Sequence, residues 1–507
     1  MEIKDLFYPW VPIYIKLPVL FILLGVILTS NGVFVGNTTE MFSSIGVYTE
    51  AFTVAYNAMY IGMGLGLLFA IRTKLRFTNK TLLMGGLFVM LLMNIICAVS
   101  SYPELTVVAC LILGFVKMFA LLEVYIIWGV IWSKKFDSSR FYPFIYCTAL
   151  CGLFFVTWFM TRLSYTYNWH YAYIFILMLL LLCMIFTLVF VEDHPLRKIF
   201  PFYQIDYAGL SFLACFLMFL NYGFVYGKVE NWFESKKIWL AFTLSAAFLI
   251  ICIVRLNTVK RPLFSLKVFR YRKFCLGLLY FFLLGIFAPT TFQSIFTAGV
   301  LHYEAFRNTQ ISLYMIPGAI AGAVLCYIWY LKNLDGEVMI FAGFAAFVCY
   351  HIFLYNGFAN DFAMESFILP SMIKGFGFSC LYISVGIYAT RGLPMPMVTI
   401  AAGILIIVRS FLGNGIFTAI YSYLLYAKRM EHYSFLAGTS EQSQSSGGPG
   451  YAALQNQAIL TASKEMTGYI IIAGLILLLT ILITYLYGKL STYLQPTKSM
   501  SPKFSNI

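Results

Sequence analysis

Four ionisable side chains lie deep inside long apolar stretches of this sequence: Lys117, Glu123, Lys374 and Arg409. A charge at the centre of a membrane-spanning helix costs about 2.5 to 3.5 kcal/mol on insertion scales. Such groups therefore normally face the interior of a helix bundle, where they pair with each other or bind a ligand. Three bases against one acid predict a net positive interior, which would suit an anionic or acidic amphiphile.

The single acid, Glu123, is poorly placed to pair with Lys117 on its own helix. Six residues of α-helix turn about 600°, so the two side chains point about 120° apart. Glu123 is therefore expected to face a base on another helix, either Arg409 or Lys374. An alternative remains open for Lys117 and Lys374, which could bond to helix carbonyls and serve assembly alone.

Neutral polar residues follow the same apolar segments at helical spacing. Ser410, Asn414, Thr418 and Tyr421 are separated by four, four and three residues, which predicts one polar face beside Arg409. We expect these faces to line one shared, hydrated cavity. The predicted binding residues are Lys117, Lys374, Arg409, Asn414, Gln293, Thr290, Asn31, Tyr56 and Asn57.

The elements that must position these residues are membrane-spanning helices. Hydrophobic residues make up 61% of the 507 residues and charged residues only 11%, a composition that excludes a soluble globular protein of this length. Runs long enough to cross about 30 Å of hydrocarbon recur along the whole chain. We predict fourteen helices, at about 17–35, 51–71, 81–100, 105–132, 141–162, 169–191, 205–226, 237–255, 274–299, 309–331, 338–356, 365–388, 397–424 and 467–487.

The basic residues indicate an orientation rather than a nucleic-acid partner. The formal net charge is +14, and the clearest basic clusters lie at 72–80, 133–140 and 260–273, between predicted helices. The positive-inside rule then predicts that both termini are cytoplasmic. No soluble basic domain is present to bind nucleic acid. The cysteines and histidines have no metal-ligand spacing, and no catalytic motif occurs, so neither a metal, a cofactor nor an enzyme is predicted.

Several stretches resemble one family of membrane proteins. They are "RPLFSLKVFRYRKF" before the ninth helix, "PTTFQSIFTAGVLHYEAFRNTQISLYMIPGAIAG" through the ninth and tenth, and "RSFLGNGIFTAIYSYLLYAKRMEHYSFL" from Arg409. Together with fourteen spans they are similar to the EmrB/QacA-type multidrug exporters, the fourteen-helix drug:proton antiporter branch of the major facilitator superfamily. "WHYAYIF" at 169–175 and "QIDYAGL" at 204–210 extend the resemblance toward the N-terminus.

The resemblance implies an all-α polytopic membrane protein with the major facilitator fold. Residues 1–200 would form one six-helix bundle, 201–258 two inserted helices, and 259–507 a second six-helix bundle with an external loop at 427–466. It also implies proton-coupled export of amphiphilic small molecules across the inner membrane by alternating access. A periplasmic adaptor and an outer-membrane channel would be possible partners, since EmrB-like exporters work with them.

The N-terminal half departs from the family pattern, which leaves the coupling open. The first helix has "TSNG" where relatives usually carry an aspartate, although Arg72, Lys74 and Arg76 retain the bases of a cytoplasmic gate loop. We expect Glu123 to be the titrating carboxylate and Arg409 the base that its protonation releases. The alternative function is a permease for one specific metabolite, with altered or absent proton coupling.

Overall fold

The computed structural model describes residues 7–34, 41, 44–74, 76–132, 138–193, 206–441 and 450–494. Within them, thirteen helices are long and apolar enough to cross a membrane, and a shorter apolar helix of 17 residues precedes them. Large apolar side chains such as Ile250, Val254, Leu479 and Ile483 are exposed on the outer helices. The chain is therefore a multi-pass membrane protein, and the predicted all-helical fold is confirmed.

The fourteen helices follow the predicted order, and three of them are interrupted. We number them α1 to α14: α1 Ile13–Thr29, α2 Thr49–Lys74, α3 Asn79–Val99, α4 Pro103–Trp132, α5 Ser138–Thr166, α6 Trp169–Phe190, α7 Tyr207–Tyr226, α8 Lys236–Thr258, α9 Arg272–Phe287 and Thr291–Gly299, α10 Ala305–Leu313 and Met315–Leu331, α11 Gly336–Gly357, α12 Ile368–Thr390, α13 Met395–Ile406 continuing through Ile407–Gly415 and Ile416–Glu441, and α14 Tyr451–Leu494.

The range 427–466, expected to form an external loop, is helical at both of its ends. Helix α13 continues to Glu441 and α14 already begins at Tyr451, so only residues 442–449 of that range lie outside the described residues. Hydropathy shows where a helix leaves the apolar layer of the membrane, but these two helices extend beyond that point. The residues from Tyr451 to 466 are the first part of α14.

Helix α13 also departs from regular α-geometry where its charge lies. Residues Ile407–Gly415 form a π-helix, flanked by α-helix on both sides. π-Turns inside α-helices are rare and occur frequently at functional sites. The glycines of this segment allow close approach of neighbours, since Gly413 lies against Gly285 of α9 and Gly415 against Asn57 of α2.

We call α1 to α6 the first half and α9 to α14 the second half, and each contains a helix pair whose glycines lie against the partner's main chain. In the first half, a Cβ at Gly62 or Gly66 of α2 would overlap the carbonyl oxygens of Leu111 or Phe115 in α4. In the second half, a Cβ at Gly318 of α10 would overlap a main-chain carbonyl of α12. Small residues are enriched at such contacts because the helices can then pack by close van der Waals contact.

The two halves meet along two seams. Helix α5 packs against α10 and α12, and α2 packs against the first and middle parts of α13. Helices α7 and α8 pack on each other, and α7 also contacts α2 and α13. The buried amide of Asn57 on α2 donates to Asn221 Oδ1 on α7 at 2.9 Å, while Asn221 donates to the Val54 carbonyl at 2.9 Å. These bonds join the inserted pair to the first half.

Candidate functional site

Arg409 lies between the two halves, inside a group of aromatic rings. Its guanidinium carbon is 4.2 Å from the ring centroid of Tyr382, 5.6 Å from that of Tyr146 and 5.8 Å from that of Phe281. Tyr146 belongs to α5 in the first half, whereas the other two rings belong to α12 and α9 in the second. The π-helix therefore presents the charge at a junction to which both halves contribute.

Among the residues that the structure describes, no acid forms an ion pair with Arg409. Its electrostatic neighbours are the hydroxyl groups of Tyr60, Tyr146 and Tyr382. Its buried Nε atom has no hydrogen-bond partner in the part of the chain that the structure describes. A guanidinium carries five N–H donors in a planar fork that suits carboxylate and phosphate groups. The site is thus one cation in an aromatic environment.

A chain of tyrosines leads from this site to a narrow cavity in the first half. Tyr60 and Tyr56, one turn apart on α2, have their hydroxyl oxygens 3.0 Å apart. Tyr56 in turn lines a cavity with residues of α1, of the segment after α1 and of α5, namely Thr29, Asn31, Phe34, Leu153, Val156 and Thr157. Of the predicted binding residues, Tyr56 and Asn31 are therefore brought together beside the Arg409 site.

Lys117 of α4 is buried beside the C-terminal end of α1, and its ammonium has three hydrogen-bond acceptors. Its ammonium donates to the carbonyl oxygens of Leu28 at 2.8 Å and Ser30 at 3.1 Å, and to Asn31 Oδ1 at 2.8 Å. The last carbonyls of a helix lack intrahelical partners, and a cation there interacts favourably with the helix dipole. This arrangement favours the alternative in which Lys117 serves assembly.

Lys374 is completely buried in the second half but has a different environment. Its Nζ atom lies 4.5 Å from the ring centroid of Tyr350 and 6.0 Å from that of Phe378. No hydrogen-bond partner for this atom exists among the described residues. Lys117, Lys374 and Arg409 thus occupy three separate environments, because α4, α12 and α13 turn their charges toward different neighbours. The expectation that they share one chamber is wrong for this conformation.

Glu123 pairs with a base that we did not predict as its partner. Both of its oxygens accept hydrogen bonds from the ammonium of Lys74, at 3.0 and 2.9 Å. The expected partners, Arg409 and Lys374, lie elsewhere, because Glu123 is on the part of α4 that runs beside the last turn of α2. Of the gate-loop bases, Lys74 is helical and Arg76 lies in the following turn, while the Arg72 side chain lies outside the described residues.

The remaining predicted residues do not converge on Arg409. Asn57 is buried against Asn221 of α7. Gln293 is buried and accepts a 2.6 Å hydrogen bond from Tyr350, whereas Thr290 is exposed beside the break in α9. Asn414 is half-buried in the π-helix, and its carbonyl accepts a hydrogen bond from Thr418.

Sequence reasoning missed the tyrosines that surround Arg409. Tyr60, Tyr146 and Tyr382 carry no formal charge and lie in a chain in which aromatic residues form 19% of the total. No single-sequence signal separates them from tyrosines that simply fill the core. Among the described residues, no cluster of three or more His, Cys, Asp or Glu side chains has the arrangement of a metal site.

Comparisons with known proteins find sequence relatives of low identity and structural neighbours. No family model matches the chain. Curated relatives include the colistin resistance protein EmrB of Acinetobacter baumannii, 25% identical over 219 residues, and the multidrug export proteins EmrB of Haemophilus influenzae, 21% over 241 residues, and of Escherichia coli K12, 23% over 221 residues. These alignments cover 41 to 46% of the chain and 41 to 46% of each relative, so the chain matches less than half the length of these relatives.

Solved transporter structures have the same fold. The peptide transporter POT in complex with sulfate superposes with a TM-score of 0.57 at 14% identity, covering 92% of this chain and 94% of that one. The nucleoside transporter NupG, as its D323A mutant, gives 0.56 at 13% identity over 91% and 98% of the two chains. The human organic anion transporter MFSD10 gives 0.52 at 13% identity over 92% and 100%.

Proposed function

We propose that this chain is a secondary active transporter of the major facilitator superfamily, related to the drug:proton antiporter branch, and that it exports amphiphilic organic anions. Its fold, its sequence relatives and its many membrane helices support a transporter rather than an enzyme. The substrate class, the proton coupling and a location in the inner membrane are our inferences. The chain would work by alternating access between its two halves.

The observation that carries this proposal is the Arg409 site. A cation with tyrosine hydroxyl groups, rather than carboxylates, as its electrostatic neighbours leaves donors for an anionic group of a substrate. Rings from both halves around it supply apolar contact area that suits a flat or aromatic body. Because Tyr146 and Tyr382 come from different halves, a substrate bound to Arg409 would contact both and could stabilise one access state over the other.

For proton coupling we propose the Glu123–Lys74 pair. Glu123 is 1% exposed and the Lys74 side chain 26% exposed, so one member is buried while the other reaches toward solvent. Protonation of Glu123 would remove its charge and weaken both hydrogen bonds from Lys74, which would loosen the contact between the last turn of α2 and α4. A membrane potential of 100 mV contributes about 2.3 kcal/mol per charge moved, enough to bias such a cycle.

A periplasmic adaptor with an outer-membrane channel remains a proposal, and the last two helices provide a candidate surface for it. Helix α14 has 44 residues, a length of about 66 Å at 1.5 Å per residue, whereas a bilayer with its headgroups is about 40 to 45 Å thick. Glu465 of α14 accepts from Lys428 at 3.0 Å and pairs with His432 at 2.8 Å, which braces α14 against α13. The projecting pair would be a rigid docking element.

Transport by inside-out membrane vesicles tests the substrate class. We expect energised vesicles to accumulate the anionic dye fluorescein in preference to the cationic dye ethidium. Arg409→Gln should lower fluorescein accumulation at least about tenfold, the equivalent of 1.4 kcal/mol. Arg162→Gln removes an exposed arginine whose guanidinium lies 5.5 Å from the Trp158 ring centroid, and is the matched control. Ethidium uptake alone, or fluorescein uptake insensitive to Arg409→Gln, would refute the assignment.

A separate measurement tests the coupling. In Glu123→Gln vesicles we expect exchange of dye down its own gradient to persist while the response to an imposed pH gradient is lost. Asp206→Asn is a suitable control, because Asp206 is also buried and accepts a 2.7 Å hydrogen bond from Arg255 at the inserted helices. An unchanged pH-gradient response in Glu123→Gln would exclude Glu123 as the coupling group.

The second candidate function is a permease for one metabolite, with altered or absent coupling. It is favoured by the absence of the family's acid from the "TSNG" segment of α1. Competition distinguishes the two functions, since a broad exporter should be inhibited by chemically diverse anions. A specific permease should respond to one compound class only.

A further inference from the structure

Two cysteines on neighbouring helices of the first half have their thiols in contact. The Sγ atoms of Cys97 on α3 and Cys110 on α4 are 4.0 Å apart, and both side chains are completely buried. Only 13 positions separate the two residues along the chain. A disulfide needs two cysteines whose side chains point toward each other at short range, and this pair meets that condition.

The segment after α1 leaves the space beside the two thiols open. Gly32 has a φ of +74°, a left-handed conformation that glycine adopts without strain. A Cβ at this position would lie 2.9 Å from Cys110 Sγ and 3.5 Å from Cys97 Sγ, so any other residue would crowd both sulfurs. The Gly32 carbonyl accepts a 2.7 Å hydrogen bond from Tyr173 of α6, which holds the segment against them.

The pair lies toward the predicted external ends of its helices. Cys97 is two residues before the end of α3, and Cys110 is seven residues after the start of α4. The basic clusters at 72–80 and 133–140 lie at the opposite ends of these helices, so the positive-inside rule predicts that the turn between α3 and α4 is external. Disulfides form and persist outside the cytosol, whereas cytosolic thiols are kept reduced.

We infer that Cys97 and Cys110 form a disulfide that joins α3 to α4. One cysteine thiolate attacks the disulfide of a thiol-oxidising protein, which gives a mixed disulfide and releases one sulfur of the oxidant. The second cysteine displaces the other sulfur, so the bond between Cys97 and Cys110 forms. The oxidant gains two electrons and the two thiol protons, and becomes a dithiol.

Both cysteine sulfurs are buried in the folded chain, so this exchange precedes the closure of the segment after α1 over them. The disulfide would fix α4 against α3 near their external ends. The inference is independent of the proposed transport function, because it needs neither a substrate nor a coupling ion.

Disulfide mapping of the full-length chain tests the inference. The chain is produced in a bacterial host with an oxidising periplasm, and its membranes are dissolved in denaturant with N-ethylmaleimide and no reductant. Mass spectrometry of the digested chain should show the Cys97 and Cys110 peptides linked in most molecules and separated after reduction.

A second thiol pair is the matched control for this mapping. Cys326 of α10 and Cys380 of α12 are also neighbours, but Cys326 is five residues before the end of α10 that the same rule predicts to be cytoplasmic. This pair should therefore carry maleimide. Maleimide on both Cys97 and Cys110 in most molecules would overturn the inference. Linkage of Cys326 to Cys380 to the same extent would also overturn it, since it would indicate oxidation without regard to the side of the membrane.

Thermal unfolding in detergent tests the same bond without peptide mapping. A disulfide stabilises mainly by restricting the unfolded chain, so a phosphine reductant should lower the unfolding midpoint of the parent chain by a few degrees. Cys97→Ser and Cys110→Ser should both lose this response, whereas Cys183→Ser, at a buried thiol of α6, should keep it. A response to reductant that persists in Cys97→Ser would contradict the inference.

Discussion

The two buried lysines should respond in opposite directions to the same substitution. Methionine has nearly the length of lysine but no charge and no donors. Lys117→Met removes the donor of two main-chain carbonyls and of Asn31 Oδ1. A buried acceptor left unsatisfied costs about 1 to 3 kcal/mol. Since some of these oxygens can find water or another donor, we expect a net loss of about 2 to 4 kcal/mol in the free energy of unfolding.

Lys374→Met removes no hydrogen bond between described residues. The contacts that it loses are with the rings of Tyr350 and Phe378, and a cation–π contact contributes about 2 kcal/mol when desolvated. Burying a charge costs several kcal/mol even after relaxation, and replacing buried ionic groups by apolar residues often stabilises by about 1 to 4 kcal/mol. We therefore expect Lys374→Met to be neutral or more stable than the parent chain.

Thermal unfolding of the purified full-length variants in detergent, followed by tryptophan fluorescence, measures both effects. Lys236→Met, at an exposed position at the start of α8, controls for the substitution itself. If unfolding is irreversible, the variants are compared by their rates of unfolding at one fixed temperature, and these rates should rank the variants in the same order. A loss of stability in Lys374→Met equal to that in Lys117→Met would refute the environments assigned to the two ammonium groups.

Two further predictions concern helix packing and use the same unfolding assay. Gly62→Ala should destabilise the folded protein by about 1 to 3 kcal/mol, because the new Cβ overlaps a carbonyl of α4. Gly25→Ala has open space around its Cβ position and should be neutral or stabilising by up to about 1 kcal/mol. Equal effects of the two substitutions would contradict this packing. Leucine substitutions of Asn57 and Asn221 should show a coupling of about 0.6 to 1.7 kcal/mol in a double-mutant cycle, whereas additive effects would mean that the amide pair does not stabilise the contact of α7 with α2.

The membrane character and the helix order could be predicted because hydropathy is a local property. Every predicted span corresponds to a helix in the structure. The extent of helix within 427–466 could not be predicted, because polarity alone does not distinguish a loop from a polar helix. Its residues include many good helix formers, such as the Ala, Lys, Arg and Met of "YAKRMEH". A polar helix outside the membrane forms the same backbone hydrogen bonds as an apolar helix inside the membrane.

The partners of the buried charges could not be predicted from one sequence. Whether Glu123 meets Lys74, Arg409 or Lys374 depends on the rotation and vertical offset of α4 against α2 and the other helices. Small residues such as Gly62 set that offset, and their effect is tertiary. The π-helix around Arg409 rotates the following residues relative to an ideal α-helix, so the simple spacing of Ser410, Asn414 and Thr418 does not define their faces.

The glycine contacts of α2 with α4 and of α10 with α12 constrain how the molecule can move. Where two main chains touch without side chains between them, no rotamers can be exchanged to absorb sliding. In the proposed transport cycle, displacement would then be absorbed at contacts that have side chains between the helices, such as the tyrosine-rich contact between α5 and α12. A rigid planar compound inserted between Tyr146 and Tyr382 should therefore act as a wedge that arrests the cycle.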